Sequence, residues 1–315
     1  MNYRRLGKTD LNVSQLCFGS LTISPLQKDF SPEKAGGIIK NALAQGINFI
    51  DTAELYQNYE HIKKGIAGCT TEVILSSKSY AYTYEDMQLS IEKACREVGR
   101  DYIDVFSLHE QSSRLTLKGH ADALRCLVDA KKKGLIRAIG VSTHYVEVVR
   151  AAAMLDEVDV IHPIINKSGL GIADGSAEDM LKAIEFAHYM GKGLYAMKAL
   201  GGGHLAEKSE ESLQWVLGLP CIDSIAIGMH SLDEITANVA VFTGHKVASD
   251  IALRLKNVKR AIYVEDYCEG CGRCKEHCSS KAIEIVDNKA VIAKDKCIRC
   301  GYCAAYCPHF CIKVV

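Results

Sequence analysis

Two runs of four cysteines near the C-terminus constrain this chain more than any other feature of its sequence. In both runs the cysteines are separated by two, two and three residues. Gaps of two residues let three thiolates converge from one tight loop onto the irons of a 4Fe-4S cluster, while the fourth thiolate points away. Zinc is the alternative, because C-x2-C pairs also build zinc ribbons, but the repeated four-cysteine spacing favours iron and sulfur. The runs are Cys268, Cys271, Cys274 and Cys278, followed by Cys297, Cys300, Cys303 and Cys307.

The composition predicts one large folded domain with a small one attached. Of the 315 residues, 48% are hydrophobic, and the 38 Lys and Arg residues are balanced by 38 Asp and Glu residues. A chain of this length can bury one barrel-sized core and a smaller appendage. Because the formal net charge is zero, we expect no broad basic field for nucleic acid or for an anionic membrane.

Signals for export or membrane insertion are not evident. The N-terminal stretch MNYRRLGKTDLNVSQL has no charged start followed by an apolar run, and no later stretch approaches about 18 apolar residues. We therefore expect a soluble, cytoplasmic protein whose clustered cysteines bind metal rather than form disulfides. The cysteines outside the two runs are expected to be small buried hydrophobes. They are Cys17, Cys69, Cys95, Cys126, Cys221 and Cys311.

Between about residues 16 and 242, short β-rich runs alternate with longer amphipathic ones. This alternation is typical of repeated βα units around a parallel sheet. Eight strands and eight helices predict an α/β fold, a (β/α)8 TIM barrel. An open doubly wound sheet would alternate in the same way, but no G-x-G-x-x-G turn follows the first strand. The predicted strands begin near Leu16, Asn48, Val73, Ile103, Ile136, Asp159, Gly193 and Asp223.

Local signals mark helix ends and the domain boundary. Ser31-Pro32-Glu33 predicts the start of one helix and Gly46 its end. The stretch VASDIALRLKNVKRAI predicts a further helix that links the barrel to the cysteine module. We place the barrel and its linking helix in residues 1–260 and a small α+β iron-sulfur domain in residues 261–315. Within that domain, KAIEIVDNKAVI predicts a pair of strands.

Polar residues occur where successive predicted strands end. Asp51 closes the second strand, Lys78 the third and His109 the fourth, and Tyr56 lies in the loop after Asp51. In a barrel of this kind the chemistry lies at the C-terminal ends of the strands. A nearby ammonium would lower the pKa of Tyr56, while His109 would orient a substrate carbonyl toward the phenol. Any one of these residues alone is more often a cap or a surface ion pair, so the prediction depends on the set.

The segments YRRLGKTDLNVSQLCFG, INFIDTAELY, ILSSK and DYIDVFSLH resemble the aldo-keto reductase family in order and spacing over about residues 1 to 242. The resemblance implies hydride transfer between a nicotinamide cofactor and a small carbonyl or alcohol. It assigns the acid to Tyr56, its tuning to Lys78 and Asp51, and substrate orientation to His109. It also implies that residues 3–13 form a short hairpin that closes the barrel floor.

The same resemblance assigns positions to the nicotinamide cofactor, NAD(P)H. They correspond to a carboxamide pocket, a segment after the seventh strand and an adenosine-phosphate pocket at a helix start. Thr143 replaces the family's Asn, Met197 its stacking tyrosine, and Glu234 stands where an arginine often grips a 2′-phosphate. The acidic residue argues against NADP and for NAD or a weakly held nucleotide. The assigned residues are Ser142, Asn166, Lys198, Gly228 and Asn238.

The cysteine module resembles the bacterial two-cluster ferredoxins, in which the fourth cysteine of each run ligates the other cluster. The resemblance implies one 4Fe-4S cluster on Cys268, Cys271, Cys274 and Cys307. It implies a second on Cys297, Cys300, Cys303 and Cys278. Pro308 matches the family's proline after the fourth cysteine, whereas Ser279 replaces it in the first run.

Three functions remain open at the level of sequence. Nicotinamide moves two electrons as hydride, whereas an iron-sulfur cluster moves one at a time, and the sequence shows no flavin-binding signature. The clusters could exchange electrons with a partner flavoprotein or another redox carrier. They could instead be structural or redox-sensing beside an autonomous reductase site. In the third hypothesis the barrel no longer binds nucleotide, and the protein serves electron transfer or docking.

Overall fold

The computed structural model describes residues 1–256, 262–278, 280–297, 302–309 and 311–314. The predicted domain boundary near residue 260 lies outside these ranges, as do Ser279 and Cys300. Within the described ranges, no helix combines the length and the apolar character needed to cross a bilayer.

An N-terminal hairpin closes the floor of the barrel. Its strands are β1 (Tyr3–Arg5) and β2 (Asn12–Ser14), which pair antiparallel. Leu6, Leu11 and Val13 are fully buried and pack against side chains of the lower barrel interior. The hairpin that the sequence predicts is therefore present.

Eight parallel strands close into a barrel within residues 1–256, all of which the structure describes. Each strand pairs with its sequence neighbour, and the last pairs with the first, so the sheet has no free edge. All eight predicted strands are found, and the predicted (β/α)8 barrel is confirmed. The strands are β3 (Leu16–Gly19), β4 (Phe49–Asp51), β5 (Ile74–Ser79), β6 (Ile103–Leu108), β7 (Ile136–Thr143), β8 (Val160–Pro163), β9 (Gly193–Ala196) and β10 (Ser224–Gly228).

Helices surround the barrel and bury one face each against it. The first begins where the sequence indicates, because Ser31 Oγ accepts a hydrogen bond from Lys34 N at 3.3 Å and Pro32 occupies the first helical position. Gly46 follows the end of this helix with a φ of +88°. The helices are α1 (Pro32–Ala44), α2 (Tyr59–Ile66), α3 (Tyr84–Val98), α4 (Arg114–Gly119), α5 (Ala121–Lys132), α6 (Val146–Ala153), α7 (Ala177–Tyr189), α8 (Ser209–Leu217) and α9 (Leu232–Phe242).

A further helix, α10 (Ser249–Lys256), packs against α9 and accounts for the first part of the predicted linking helix. Arg254 of α10 donates hydrogen bonds to both carboxylate oxygens of Asp233 at 2.7 and 2.8 Å, and a third to Asp250 at 2.9 Å. This forked geometry fixes α10 against the start of α9. Residues 257–261 of the predicted linking helix fall outside the described residues, and Ile262, its last predicted residue, belongs to a β-strand instead.

The C-terminal module has its own small core. Strands β11 and β14 pair antiparallel, and β12 and β13 form the hairpin that KAIEIVDNKAVI predicts. Ile283, Ala290, Ala304 and Ile312 are buried together. The elements are β11 (Ile262–Val264), α11 (Arg273–Glu276), β12 (Ile283–Val286), β13 (Lys289–Ile292), α12 (Tyr302–Ala305) and β14 (Ile312–Val314).

The module lies at the mouth of the barrel. Strand β14 packs against the 3₁₀ turn Gly201–Gly203, which follows β9 on the C-terminal side of the strands. This is the side on which barrels of this type carry their polar site residues. The iron-sulfur module is therefore placed next to the candidate active site.

Candidate active site and cluster cavity

The four residues predicted to handle the substrate converge at the barrel mouth. Asp51 ends β4, Lys78 lies one residue before the end of β5, and His109 directly follows β6. Tyr56 ends the 3₁₀ turn Glu54–Tyr56 that follows β4. Because β4, β5 and β6 are neighbours in the barrel, their C-terminal ends bring these side chains together.

Asp51 and Lys78 form a buried ion pair. Lys78 Nζ donates to the two carboxylate oxygens at 2.7 and 2.9 Å, and to the carbonyl oxygen of Thr52 at 2.7 Å. Lys78 is 1% exposed and Asp51 5% exposed. Removing one partner of such a pair typically costs about 3–5 kcal/mol, because the other charge is left buried. The pair therefore holds the ammonium rigidly beside the mouth.

A polar network inside the barrel supports this ion pair from below. The Tyr195 hydroxyl donates to Asp51 Oδ1 at 3.0 Å and lies 2.9 Å from Ser76 Oγ. The His162 ring stacks on Tyr195 with ring centres 3.8 Å apart. Burial, the largest cause, lowers the pKa of His162 to about 4, so the ring is neutral at ordinary pH.

Tyr195 and His162 were not among the residues predicted from the sequence. Both lie in the middle of otherwise apolar strand segments, GLYAMK and DVIHPII. A polar side chain within a buried strand needs a hydrogen-bond partner inside the fold. Their occurrence within these strands could have indicated a buried polar network.

Tyr56 lies near both the ion pair and His109. Lys78 Nζ is 5.4 Å from the centre of the Tyr56 ring, and the His109 ring centre is 6.0 Å from it. Burial raises the pKa of Tyr56 well above its ordinary value, and the Asp51 carboxylate raises it further. Any lowering by the Lys78 ammonium is therefore outweighed in this arrangement, because burial is the largest effect and the Asp51 carboxylate acts in the same direction. The phenol remains protonated.

His109 is neutral and buried. Burial lowers its pKa well below the ordinary value, and the positive charge of Lys78 lowers it further. Its Nδ1 atom has no hydrogen-bond partner among the described residues. The Tyr80 ring stacks on the imidazole with centres 4.3 Å apart, and its hydroxyl donates to Glu110 at 2.5 Å. A neutral imidazole can donate a hydrogen bond to a carbonyl oxygen without competing with Tyr56 for the proton.

The two residues assigned to the carboxamide form hydrogen bonds within the chain. Ser142 and Asn166 are fully buried. Ser142 Oγ accepts from Glu110 N at 2.8 Å. The Asn166 side chain accepts from Ser168 N at 3.2 Å and from Leu170 N at 3.0 Å, and donates to Leu170 O at 2.9 Å. Both side chains therefore already have hydrogen-bond partners within the chain.

Lys198 follows Met197, the position to which the resemblance assigns the residue that stacks on the nicotinamide ring. Its backbone is in the left-handed region, with a φ of +56°, and its Nζ is 3.1 Å from His144 Nε2. Burial lowers the pKa of Lys198 well below its ordinary value, and Lys313 of the C-terminal module lowers it further. The position is thus next to the module as well as the barrel.

The predicted adenosine-phosphate pocket at the start of α9 is occupied by the chain itself. Ser231 caps the helix by accepting from Glu234 N at 3.2 Å. The Glu234 carboxylate accepts from His230 N at 2.7 Å and lies 3.0 Å from His230 Nδ1. Gly228 ends β10, Asn238 lies further along α9, and a carboxylate already fills the site that a phosphate would take. Nucleotide binding by the assigned residues stays a prediction.

Four cysteines from both runs surround one cavity in the module. The cavity is lined by Cys268, Cys271, Cys274 and Cys307, the crossed set that the ferredoxin resemblance implies. Among the described residues, no three His, Cys, Asp or Glu groups are placed to hold a single metal ion. The donor set and the cavity fit a 4Fe-4S cluster.

Backbone groups around the cavity are suited to thiolate ligands. Ala290 N donates to Cys268 Sγ at 3.4 Å, and Cys311 N donates to Cys307 Sγ at 3.1 Å. Such N–H···S contacts stabilise thiolates and tune the cluster potential. Gly270 has a φ of +64°, and a Cβ there would lie 2.6 Å from the carbonyl carbon of Asn288. Only glycine fits this loop position.

The second predicted ligand set is described in part. Cys278, Cys297 and Cys303 lie within the described residues, whereas Cys300 does not. Cys278 Sγ accepts from Ala282 N at 3.3 Å, the same type of contact as at the first cavity. A cluster on this set stays a prediction.

The six cysteines outside the two runs differ in how deeply they are buried. Cys17, Cys126, Cys221 and Cys311 are buried as expected, and Cys95 is partly buried. Cys69 is exposed, so the expectation of burial is wrong there, because the residue follows Gly68 in the loop after α2. Cys311 also lines the cluster cavity, which its spacing from the two runs does not indicate.

A parallel barrel with Asp, Tyr, Lys and His at the ends of three neighbouring strands, joined to a cysteine-rich module, defines an oxidoreductase with an iron-sulfur domain. Residues 15–214 match the Aldo/keto reductase family, and residues 260–308 match a 4Fe-4S dicluster domain. The chain belongs to the aldo/keto reductase family and carries a 4Fe-4S dicluster domain.

Individual relatives agree with this assignment. The uncharacterized oxidoreductase YqkF of Bacillus subtilis (strain 168) is 23% identical, over 84% of this chain and 98% of its own length. L-galactose dehydrogenase of Arabidopsis thaliana is 23% identical, over 76% of this chain and 88% of its own length. The structure of aldo-keto reductase AKR11C1 from Bacillus halodurans (holo form) superposes with a TM-score of 0.64 at 20% identity, covering 81% of this chain and 95% of that one. This last likeness shows the fold.

Proposed function

We propose that this protein is an aldo-keto reductase-type oxidoreductase acting on a small carbonyl or alcohol, with Tyr56 as the group that gives or takes the proton. Two 4Fe-4S clusters in the C-terminal module exchange electrons with a redox partner. The observation that carries the proposal is the arrangement of a protonated Tyr56 near neutral His109 and the buried Lys78–Asp51 pair.

Each residue of this set has a distinct task. His109 donates a hydrogen bond to the carbonyl oxygen and turns that oxygen toward the Tyr56 hydroxyl. Tyr56 transfers its proton to the oxygen as negative charge develops there, and Lys78 stabilises the resulting phenolate. Asp51 fixes the ammonium, and Tyr195 fixes Asp51. The reverse sequence, with the phenolate as base, serves alcohol oxidation.

The source of electrons has two candidates. A nicotinamide, which the family implies, supplies a hydride when bound, and Ser142, Asn166, Lys198, Gly228 and Asn238 are the residues proposed to hold it. In the second candidate the barrel does not bind nucleotide, and the clusters carry electrons alone. The buried carboxamide residues and the Glu234 carboxylate at the start of α9 favour this second candidate.

Anaerobic titration of the cluster-loaded, full-length protein with NADH and then NADPH tests the nucleotide. Nucleotide fluorescence reports binding, and the visible cluster absorbance reports reduction. Binding of either nucleotide, together with carbonyl reduction that Tyr56→Phe abolishes, supports the nicotinamide-dependent enzyme. Absence of binding with clusters that accept electrons from dithionite supports the nucleotide-free function. Carbonyl reduction that survives Tyr56→Phe would remove the proton-donor assignment.

A further inference from the structure

A carboxylate outside the predicted set of site residues holds the turn that carries Tyr56. Glu54 begins the 3₁₀ turn Glu54–Tyr56, so it lies two residues before the candidate proton donor. Its Oε2 atom accepts hydrogen bonds from the hydroxyls of Ser79 and Ser90, both at 2.8 Å. The two hydroxyl oxygens are 2.9 Å apart, which completes a compact triangle of oxygen atoms. The turn is therefore fastened to β5 and α3 by a side chain that has no task in the proposed proton transfer.

The two oxygens of this carboxylate have different surroundings. Oε2 faces Ser79 and Ser90, which are both buried. Oε1 accepts from Lys93 Nζ at 3.3 Å, and the Lys93 side chain is partly exposed. An ion pair near the surface contributes little to stability, whereas hydrogen bonds to a charged group from buried hydroxyls are among the stronger ones. The serine contacts therefore determine where Glu54 lies.

Ser79 connects the turn to the other site residues. It ends β5, directly after Lys78. Its hydroxyl donates to Glu54, and its carbonyl oxygen accepts from His109 N at 3.0 Å. One residue thus contacts both the turn that carries the proton donor and the backbone of the residue proposed to orient the substrate. The separation of Tyr56 and His109 depends on these contacts.

The far end of the turn has an anchor of its own. Asn58 is fully buried, and its Nδ2 atom donates to the carbonyl and hydroxyl oxygens of Ser20, each at 3.0 Å. Its Oδ1 atom accepts from Thr52 Oγ1 at 2.6 Å. The preceding residue, Gln57, has a φ of +53°, and a residue other than glycine stays in this region only where its surroundings fix it. Loss of the carboxylate should therefore release one end of the turn while the other end stays attached.

We propose that Glu54 is a positioning residue, which fixes the Tyr56 hydroxyl relative to His109 through its serine contacts. This inference rests on the proposed function, in which Tyr56 is the proton donor. Glu54 acts only through the turn. A proton passes efficiently only over a hydrogen-bond distance of about 2.6–3.2 Å between heavy atoms, so a small displacement of the turn is enough to slow the reaction.

The proposed role depends on the hydrogen bonds of Glu54 and not on its charge. Glu54→Gln removes the charge but keeps the length of the side chain and an oxygen that accepts from both serine hydroxyls. Glu54→Ala removes the charge and the acceptor together. Ser90→Ala removes one of the two hydroxyl donors. Glu60→Ala, which changes an exposed glutamate on α2, is the matched control.

Fluorine NMR of the cluster-loaded, full-length protein labelled with fluorotyrosine reports the Tyr56 ring without any substrate. Among the 14 tyrosines, the resonance that Tyr56→Phe removes is the one to follow. We expect Glu54→Ala to shift and broaden this resonance, because the ring then samples several positions. Glu54→Gln and Glu60→Ala should leave it in place. Ser90→Ala should move it less than Glu54→Ala does.

Steady-state reduction of benzaldehyde with NADH or NADPH measures the effect on the reaction. A displacement of about 1 Å can cost on the order of 10²-fold in rate. We therefore expect Glu54→Ala to lower kcat by about 10- to 100-fold while KM stays within about twofold. Glu54→Gln should restore most of the kcat. Adding Ser90→Ala to Glu54→Ala should cause no further loss, because the hydroxyl acts through the carboxylate.

An unchanged Tyr56 resonance and an unchanged kcat in Glu54→Ala would overturn the inference. Inactivity of Tyr56→Phe in the same assay would leave the proposed function standing in that case. Equal losses in Glu54→Gln and Glu54→Ala would also overturn the inference, because the charge rather than the hydrogen bonds would then matter.

Two further measurements keep the outcomes separate. If the wild type does not reduce the aldehyde, the failure lies with the proposed function, and the fluorine resonance still decides whether Glu54 fixes the Tyr56 ring. Iron content and the midpoint of thermal unfolding check that each variant has assembled. Should Glu54→Ala not assemble, Ser90→Ala carries the same test, and an unchanged resonance and kcat in that variant would contradict the proposal.

Discussion

The Tyr195 hydroxyl donates a hydrogen bond to Asp51 at 3.0 Å, so the buried ion pair with Lys78 is anchored from inside the barrel. A carboxylate between an ammonium and a phenol cannot turn toward the mouth without losing one of these partners. The position of the ammonium beside Tyr56 thus depends on a residue in the barrel interior. Tyr195 and Asp51 thus hold the Lys78 ammonium in place, whereas Tyr56 transfers the proton.

Replacing Tyr195 by Phe should loosen Asp51 and destabilise the barrel. A hydrogen bond to a charged group contributes about 1.5–3 kcal/mol, so we expect a lower midpoint of thermal unfolding by calorimetry. Carbonyl reduction should decrease less than in Tyr56→Phe, because the proton donor remains. Tyr189→Phe, at a position 85% exposed, is the control and should unfold like the wild type. Equal midpoints for both variants would show that the hydrogen bond contributes nothing.

Tyr56→Phe should abolish carbonyl reduction while leaving the clusters intact. General acid catalysis is typically worth about 10²- to 10⁴-fold in rate, and phenylalanine keeps the ring while removing the proton. The assay measures substrate turnover and the visible cluster absorbance in the same sample. A parallel loss of absorbance would mean that the substitution disturbed the module rather than the chemistry.

The ion pair should show strong coupling between its members. Lys78→Met and Asp51→Asn should each destabilise the barrel by about 3–5 kcal/mol, because each leaves the partner buried without its counterpart. The double variant should lose less than the sum of the two single losses. The free energies of unfolding of the wild type, the two single variants and the double variant form a double-mutant cycle. Additive losses would contradict a direct interaction.

Stability should decrease as the pH falls below about 6.5, the ordinary pKa of histidine. Burial lowers the pKa of His162 to about 4, so the unfolded chain binds a proton at higher pH than the folded protein does. The contribution is fully present above the unfolded pKa, and it is lost progressively as the pH falls toward the folded pKa. Thermal midpoints recorded across this window should fall more steeply in the wild type than in His162→Gln. His188→Gln, at an exposed position, should keep the steep profile.

Gly270→Ala should reduce cluster incorporation. Its φ of +64° disfavours any side chain, and the new Cβ would lie 2.6 Å from the Asn288 carbonyl carbon. Gly272 has a φ of +80° but no atom within 4 Å of a Cβ, so Gly272→Ala carries the backbone strain without the clash. Iron content after identical reconstitution compares the two variants. Equal iron in both would show that the close approach to Asn288 does not limit assembly.

The repeating pattern of the chain was sufficient to predict the barrel. The predicted strands are short runs that alternate with amphipathic helical runs. Because strand ends on a parallel barrel share one face, Asp51, Lys78 and His109 could be placed together. The network beneath them could not be inferred. The contact between Tyr195 and Asp51 joins residues 144 positions apart, and only the closed geometry of the barrel brings them within reach.

The electrostatics and the placement of the module were also beyond the sequence. The charged residues near Tyr56 can be read from the sequence, but the burial that raises the pKa of Tyr56 cannot. Nothing in the cysteine spacing indicates that β14 packs at the barrel mouth or that Cys311 lines the cluster cavity. Those features depend on how the barrel and the module pack together.

The surface on which the two parts meet has little freedom to change. Gly201, Gly202 and Gly203 all adopt positive φ, at +56°, +66° and +101°, and any other residue at these positions would strain the backbone. During divergence, mutations that reshape the junction should therefore accumulate in β14 rather than in the glycine turn. The barrel side of the junction is therefore constrained, and the attached domain is the part that can be replaced during evolution.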